Sequence, residues 1–110
     1  MKVYLCVTGH YEGSDVIKVC KSKKKAERIA SQVDRLLKVH KGLRSLDGEL
    51  QREYWENNPQ LIDLTRVENY FDSEEHHKIK KIEDKVDDLL QLFGASAFYR
   101  NCNVEERKLE

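Results

Sequence analysis

Two hydrophobic periods follow one another in the first forty residues, and together they leave few folds open. Val3, Leu5 and Val7 alternate with Tyr4, Cys6 and Thr8 up to Gly9, the period of two that marks a β-strand. Tyr11-Glu12-Gly13-Ser14-Asp15 is a turn cluster, because glycine supplies positive φ and Ser and Asp bond their own backbone. Val16 to Cys20 reads as the return strand, which sets His10 opposite Asp15 and Leu5 opposite Cys20. From Ala26 the period changes. Ile29, Ala30, Val33, Leu36, Leu37 and His40 share one face of a long helix, and Gly42 stands where a left-handed cap would end it.

Neither face of this hairpin reads as solvated. One carries Val3, Leu5, Val7, Val16 and Cys20; the other carries Tyr4, Cys6, Thr8, Ile17 and Val19. A sheet face left in water would be more polar than either. The helix at 22–41 is expected on the first face, which leaves the second to later helices or another subunit.

Residues 43–71 are ambiguous. Leu46, Leu50 and Tyr54 suggest a short second helix ending near Asn57-Asn58-Pro59. Asn58 before Pro59 suits the start of another helix, while Leu61 to Val67 also fits a short strand, so residues 59–71 stay open between the two. A further helix begins at Asp72 or Ser73, with Glu74 and Glu75 in its favourable first turn. Its apolar stripe is Ile79, Ile82, Val86, Leu89, Leu90 and Phe93, its acidic outer face Glu83, Asp84, Asp87 and Asp88, and its stop Gly94. Ala97 to Val104 reads as a closing strand. The predicted fold is one α+β domain over 1–110: hairpin and helix (1–42), helical insertion (43–94), then closing strand and tail (97–110). The hairpin and the last strand form a small antiparallel sheet packed with the long helix.

Charge sharpens the reading. Residues 1–45 hold eleven Lys/Arg against four Asp/Glu, and residues 46–97 hold six against thirteen, so a neutral chain hides +7 and −7 regions. Either the acidic part neutralises the basic part, within the chain or across a dimer, or one of them faces a charged partner. Lys18, Lys21, Lys23, Lys24, Lys25 and Arg28 crowd the start of the first helix. Exposed cations there oppose the helix dipole at roughly 0.3–1 kcal/mol each, so they are candidates for phosphate or nucleic-acid contact as well as a solvated run. With 39% hydrophobic and 36% charged residues, no stretch approaches the ~20 apolar residues of a membrane span. Met1-Lys2-Val3-Tyr4 leads straight into the strand pattern, so no signal peptide is expected. Three unpaired cysteines suit a reducing cytoplasm, the host's if the chain is viral.

The opening Val3-Tyr4-Leu5-Cys6-Val7-Thr8-Gly9-His10-Tyr11, the short second strand, Ser22-Lys23-Lys24-Lys25-Ala26-Glu27 and the closing Val104-Glu105-Glu106-Arg107-Lys108-Leu109 resemble small ββαβ proteins of unknown function common in phage and bacterial genomes. The resemblance covers residues 2–41 and 98–109 and lapses over 43–97. It implies a fold and a viral or mobile-element context, such as a phage accessory or anti-defence protein, and supplies no catalytic residues.

Chemistry-bearing patterns are sparse. No C-x₂₋₄-C spacing announces zinc, and Cys6, Cys20 and Cys102 read as small core residues. Cys6 and His10 on one strand lie about 13 Å apart, too far to pair. His76 and His77 point about 100° apart on a helix and read as solvent-facing imidazoles. No catalytic residue, metal or cofactor is assigned. The expected function is a non-enzymatic binding or inhibitor module acting by protein–protein contact, as a homodimer or on another protein, without a membrane. Its candidate interface residues are Tyr4, Ile17, Val19, Trp55, Tyr70 and Phe71, and the alternative is nucleic-acid binding through Lys21–Arg28 and its neighbours.

Overall fold

A computed structural model describes residues 1–10, 12–58 and 70–109. The elements run β1 (Lys2–His10), β2 (Gly13–Cys20), α1 (Lys23–Asn57), α2 (Glu74–Leu92) and β3 (Asn101–Lys108). The strands form one antiparallel sheet in the order β2-β1-β3, so the fold is α+β with the N-terminal hairpin closed by the C-terminal strand. The closing strand starts later than the apolar pattern suggests, at Asn101 instead of Ala97.

The hairpin is tighter than its turn residues imply. His10 pairs with Gly13 and Thr8 with Asp15, and the Thr8 hydroxyl donates to the Asp15 carbonyl at 3.2 Å. Gly13 takes φ 151°, open to glycine, and so carries pairing into the expected turn. The register then slips between Cys6 and Val7: Val7 pairs with Val16 and Cys6 with Lys18, leaving Ile17 as the extra residue of a bulge. Beyond it Tyr4 meets Cys20.

The long helix does not stop at Gly42. It is 35 residues long, about 52 Å at 1.5 Å per residue, and dominates a molecule measuring 67 × 24 × 15 Å. Ser22 caps its start by accepting from the Lys25 N–H at 3.3 Å. An interior glycine costs only about 1 kcal/mol, and Leu43, Leu46 and Leu50 carry the apolar face past Gly42 and Gly48. Termination waits for Asn58, whose side-chain amide donates to the Tyr54 carbonyl at 2.8 Å and which precedes Pro59, a neighbour that disfavours helical backbone. The helix-or-strand question at 59–69 lies outside the described residues.

Ser73, rather than Asp72, caps α2, accepting from the His76 N–H at 3.3 Å. At the other end Gly94 sits at φ 75°, its N–H bonded to the Gln91 carbonyl and that of Ala95 to the Leu90 carbonyl, each at 2.9 Å. These are the paired bonds of a Schellman cap, with buried Ala95 against buried Leu90.

The core fixes which sheet face is covered, and it is the one opposite to expectation. Cys6, Cys20 and Cys102 pack with Ala26, Ala30, Val33 and Leu37 of α1 and Val86, Leu90 and Ala95 from α2 and its cap. Tyr4, Ile17 and Val104 join them. Small residues on both sides let α1 lie close to the strands. Cys6 donates its thiol to the Ala26 carbonyl at 3.3 Å, the Cys102 N–H reaches Asp34 at 3.3 Å, and Lys41 reaches the Arg100 carbonyl at 2.8 Å.

Candidate interaction surfaces

The reverse of the sheet is the first surface this packing leaves over. Val3, Leu5, Val7, Val16 and Val19 lie there, and no described helix packs on them. Val3 and Leu5, on the central strand, are shielded by neighbouring strands, but Val16 is 52% and Val19 58% exposed. On the β3 side the face turns polar, with Arg107 paired to Val3 and Glu105 to Leu5. It is thus an apolar patch of two strands with a charged margin.

Of the six expected interface residues only Val19 belongs to this patch. Tyr4 and Ile17 turn toward the helices, while the bulge brings Val19 to the open face and Cys20 to the covered one. Tyr70 is 2% exposed and forms, with the half-exposed Phe71, an aromatic cluster at the far end of the helix pair. Trp55 is half-buried on the same stretch of α1. Tyr70 donates its hydroxyl to Asp47, whose carboxylate also meets His76 Nδ1 at 3.0 Å. Burial first, then the Asp47 hydrogen bond, drive the Tyr70 phenol far above its usual range. His76 is therefore half-buried and bonded while His77 is exposed, which corrects the reading of both as solvent-facing. Only a helix running beyond Gly42 brings Asp47 there.

The six cations do gather at one end. Lys18 and Lys21 close β2 and its turn, and Lys23, Lys24, Lys25 and Arg28 open α1, all exposed and none in an ion pair among the described residues. Lys18 pairs with Cys6 and α1 packs on that covered face, so the basic cluster lies on the helix side of the sheet.

Two clefts among the described residues have a histidine in their wall. One, of about 310 Å³, lies between α1, α2 and residues 95–98, with His40, Arg44, Asp87 and Ser96 in its wall. Buried His40 reaches Asp87 at 3.4 Å. Ser96 accepts from the Phe98 N–H at 3.3 Å and makes no hydrogen bond with His40, so no serine–histidine–aspartate relay is assembled among the described residues. Asp87, read from the sequence as outer face, turns inward to His40, while Asp84 and Asp88 stay exposed. The other cleft lies at the hairpin end, where His10 stacks on Tyr99 with ring centres 5.7 Å apart. Asp15 accepts from the Tyr99 hydroxyl at 2.8 Å and meets His10 at 3.4 Å. That bond, then burial, raises the Tyr99 phenol.

All three cysteines are buried free thiols. Burial first, then Cys6 and Asp34, pushes Cys102 up to about 11, and burial first, then Cys20, raises Cys6. Such thiols are protonated and inert near neutral pH. Among the described residues no three His, Cys, Asp or Glu side chains group to hold a metal ion, and no helix is long and apolar enough to cross a membrane.

No family model, curated protein or solved structure matches this chain.

Proposed function

We propose that the protein is a non-enzymatic binding module that acts by protein–protein contact through the open face of its sheet. The observation that carries this reading is the exposure of Val16 and Val19 on a sheet face, shared with Val3, Leu5 and Val7, on which no described helix packs. Apolar patches of this kind are uncommon on monomers and mark contact sites. A phage accessory or anti-defence role is compatible with such a module and with the ββαβ resemblance of its ends.

The test compares capture by the native chain with capture by a Val16→Asp/Val19→Asp variant. Both positions are more than half exposed, so the variant keeps its far-UV circular dichroism. The reading expects a protein retained by the native chain and lost with the variant. Identical capture by both chains removes the sheet face from the interaction. The exposed basic cluster supports a second reading, nucleic-acid binding, which a mobility-shift assay at two salt concentrations separates. Binding that falls steeply with salt and survives the Val16→Asp/Val19→Asp change replaces the first reading with the second.

A further inference from the structure

The helix pair carries another apolar seam, on the side away from the sheet. At about 100° per residue, Leu36, Val39, Leu43 and Leu46 follow one another along α1 on a line apart from the buried Ala26, Ala30, Val33 and Leu37. Ile82, Leu89 and Phe93 continue the seam on α2. Leu36, Val39, Leu89 and Phe93 line a groove of about 310 Å³ between the helices. Val39, Leu46, Ile82 and Leu89 are each 45–47% exposed, and Leu92 beside them is 81% exposed.

The charges bordering this seam indicate what covers it. The contacts of His40 with Asp87 and of Asp47 with His76 show α1 and α2 antiparallel and fix their relative height. Along the outer rim of α1 the signs run Arg28, Arg35, then Glu49, Glu53. Along α2, read at the same heights, they run Asp88, then Lys85, Lys81 and Lys78, then Glu74, which Lys78 holds at 3.4 Å. All nine side chains are exposed. A two-fold axis parallel to the helices lays α1 of one copy over α2 of another. Arg35 then faces Asp88, and Glu49 faces Lys78 and Lys81, twice per assembly.

We propose that a second copy of this chain covers the seam, as a four-helix packing with the two sheets on its outer sides. Isologous contact requires a surface to complement itself, and the facings of Arg35 with Asp88 and of Glu49 with Lys78 and Lys81 do so. Both sheet faces stay open, so the dimer presents its partner-binding patch twice. The surface is separate from the one proposed for function, and each is tested by its own variant.

Sedimentation of the full chain at tens of micromolar is expected to give twice 13.0 kDa. Leu89→Arg, at a half-exposed position, is expected to keep the helical spectrum and raise the dissociation constant at least ~30-fold. Arg35→Asp and Asp88→Arg are each expected to weaken the dimer several-fold, and the double exchange to restore it to within about 3-fold of native. A mass of 13.0 kDa at hundreds of micromolar overturns the proposal. So does a dimer that survives Leu89→Arg or dissociates on Val16→Asp/Val19→Asp, and so does a charge exchange that restores nothing.

Discussion

Replacing Gly42 by alanine decides between a helix that ends at that residue and one that passes through it. In the structure positive φ occurs among glycines only at Gly13 and Gly94, so Gly42 has ordinary helical backbone. A Cβ built on it meets nothing within 4 Å. The added methyl costs no packing, and the unfolded chain loses the conformational freedom of a glycine, so Gly42→Ala is expected to stabilise the protein by about 0.5–1 kcal/mol. Gly48 has the same open surroundings and the same expected gain. The two sites are six residues apart with no shared partner, so the gains should add to about 1–2 kcal/mol. Gly94→Ala is the opposite case: at φ 75° a side chain costs about 1–2 kcal/mol, and the Schellman cap of α2 is strained. Urea unfolding followed by far-UV circular dichroism reads all three as shifts of midpoint at constant slope. A Gly42→Ala protein destabilised as much as Gly94→Ala would mean that Gly42 is left-handed, and the continuous α1 would be refuted.

Two leucines in one helix are expected to behave oppositely. Leu90 is fully buried, so Leu90→Ala should cost about 2–5 kcal/mol, whereas Leu92, 81% exposed, should change stability by no more than about 0.5 kcal/mol; equal costs in urea titrations would contradict the core assignment. Alkaline pH should also destabilise the fold. Cys102 is raised from 9.0 to about 11 by its burial, so the protonated thiol favours the native state fully below pH 9 and that contribution is lost as pH rises through 11. Urea midpoints at pH 8, 9, 10 and 11 should therefore fall, and fall less in Cys102→Ala; a decline unchanged by that substitution would assign it to other groups.

The hairpin, both strong helices and the closing strand were legible because each has one clear period and clean flanking signals. Ser73 with Glu74 and Glu75 announces the start of α2, and Gly94 its end, by backbone chemistry that tertiary contacts did not override. Gly42 misled because a glycine after an apolar stripe is the usual stop signal. What distinguishes a stop from a passage is whether the stripe resumes, and Leu43, Leu46 and Leu50 resume it. The bulge at Ile17 was not legible, since alternation cannot show that two consecutive residues share a face. That single insertion left Ile17 on its expected face but exchanged the next two apolar positions, putting Val19 beside Leu5 on the open face and Cys20 beside Tyr4 against the helices.

Which face of the sheet α1 covers was missed for a related reason, although residue size held the signal. The side of α1 against the strands presents Ala26 and Ala30, and the strands answer with Cys6, Cys20 and Cys102. Small against small allows close approach of helix and sheet, and the polar bonds from Asp34, Lys41 and the Cys6 thiol need that closeness. Val3, Leu5, Val7, Val16 and Val19 would have held a helix farther off and put those bonds out of reach. Hydrophobicity ranks the two faces alike, because it counts apolar residues without their volume. The same measure treats the outer Leu36, Val39, Leu43 and Leu46 line and the inner Ala26, Ala30 and Leu37 line as one broad stripe. Divided by size, the stripe shows a narrow edge fitted to the chain's own sheet and a bulky edge on which Val39 and Leu46 stay about half exposed, where another helix pair has room to pack.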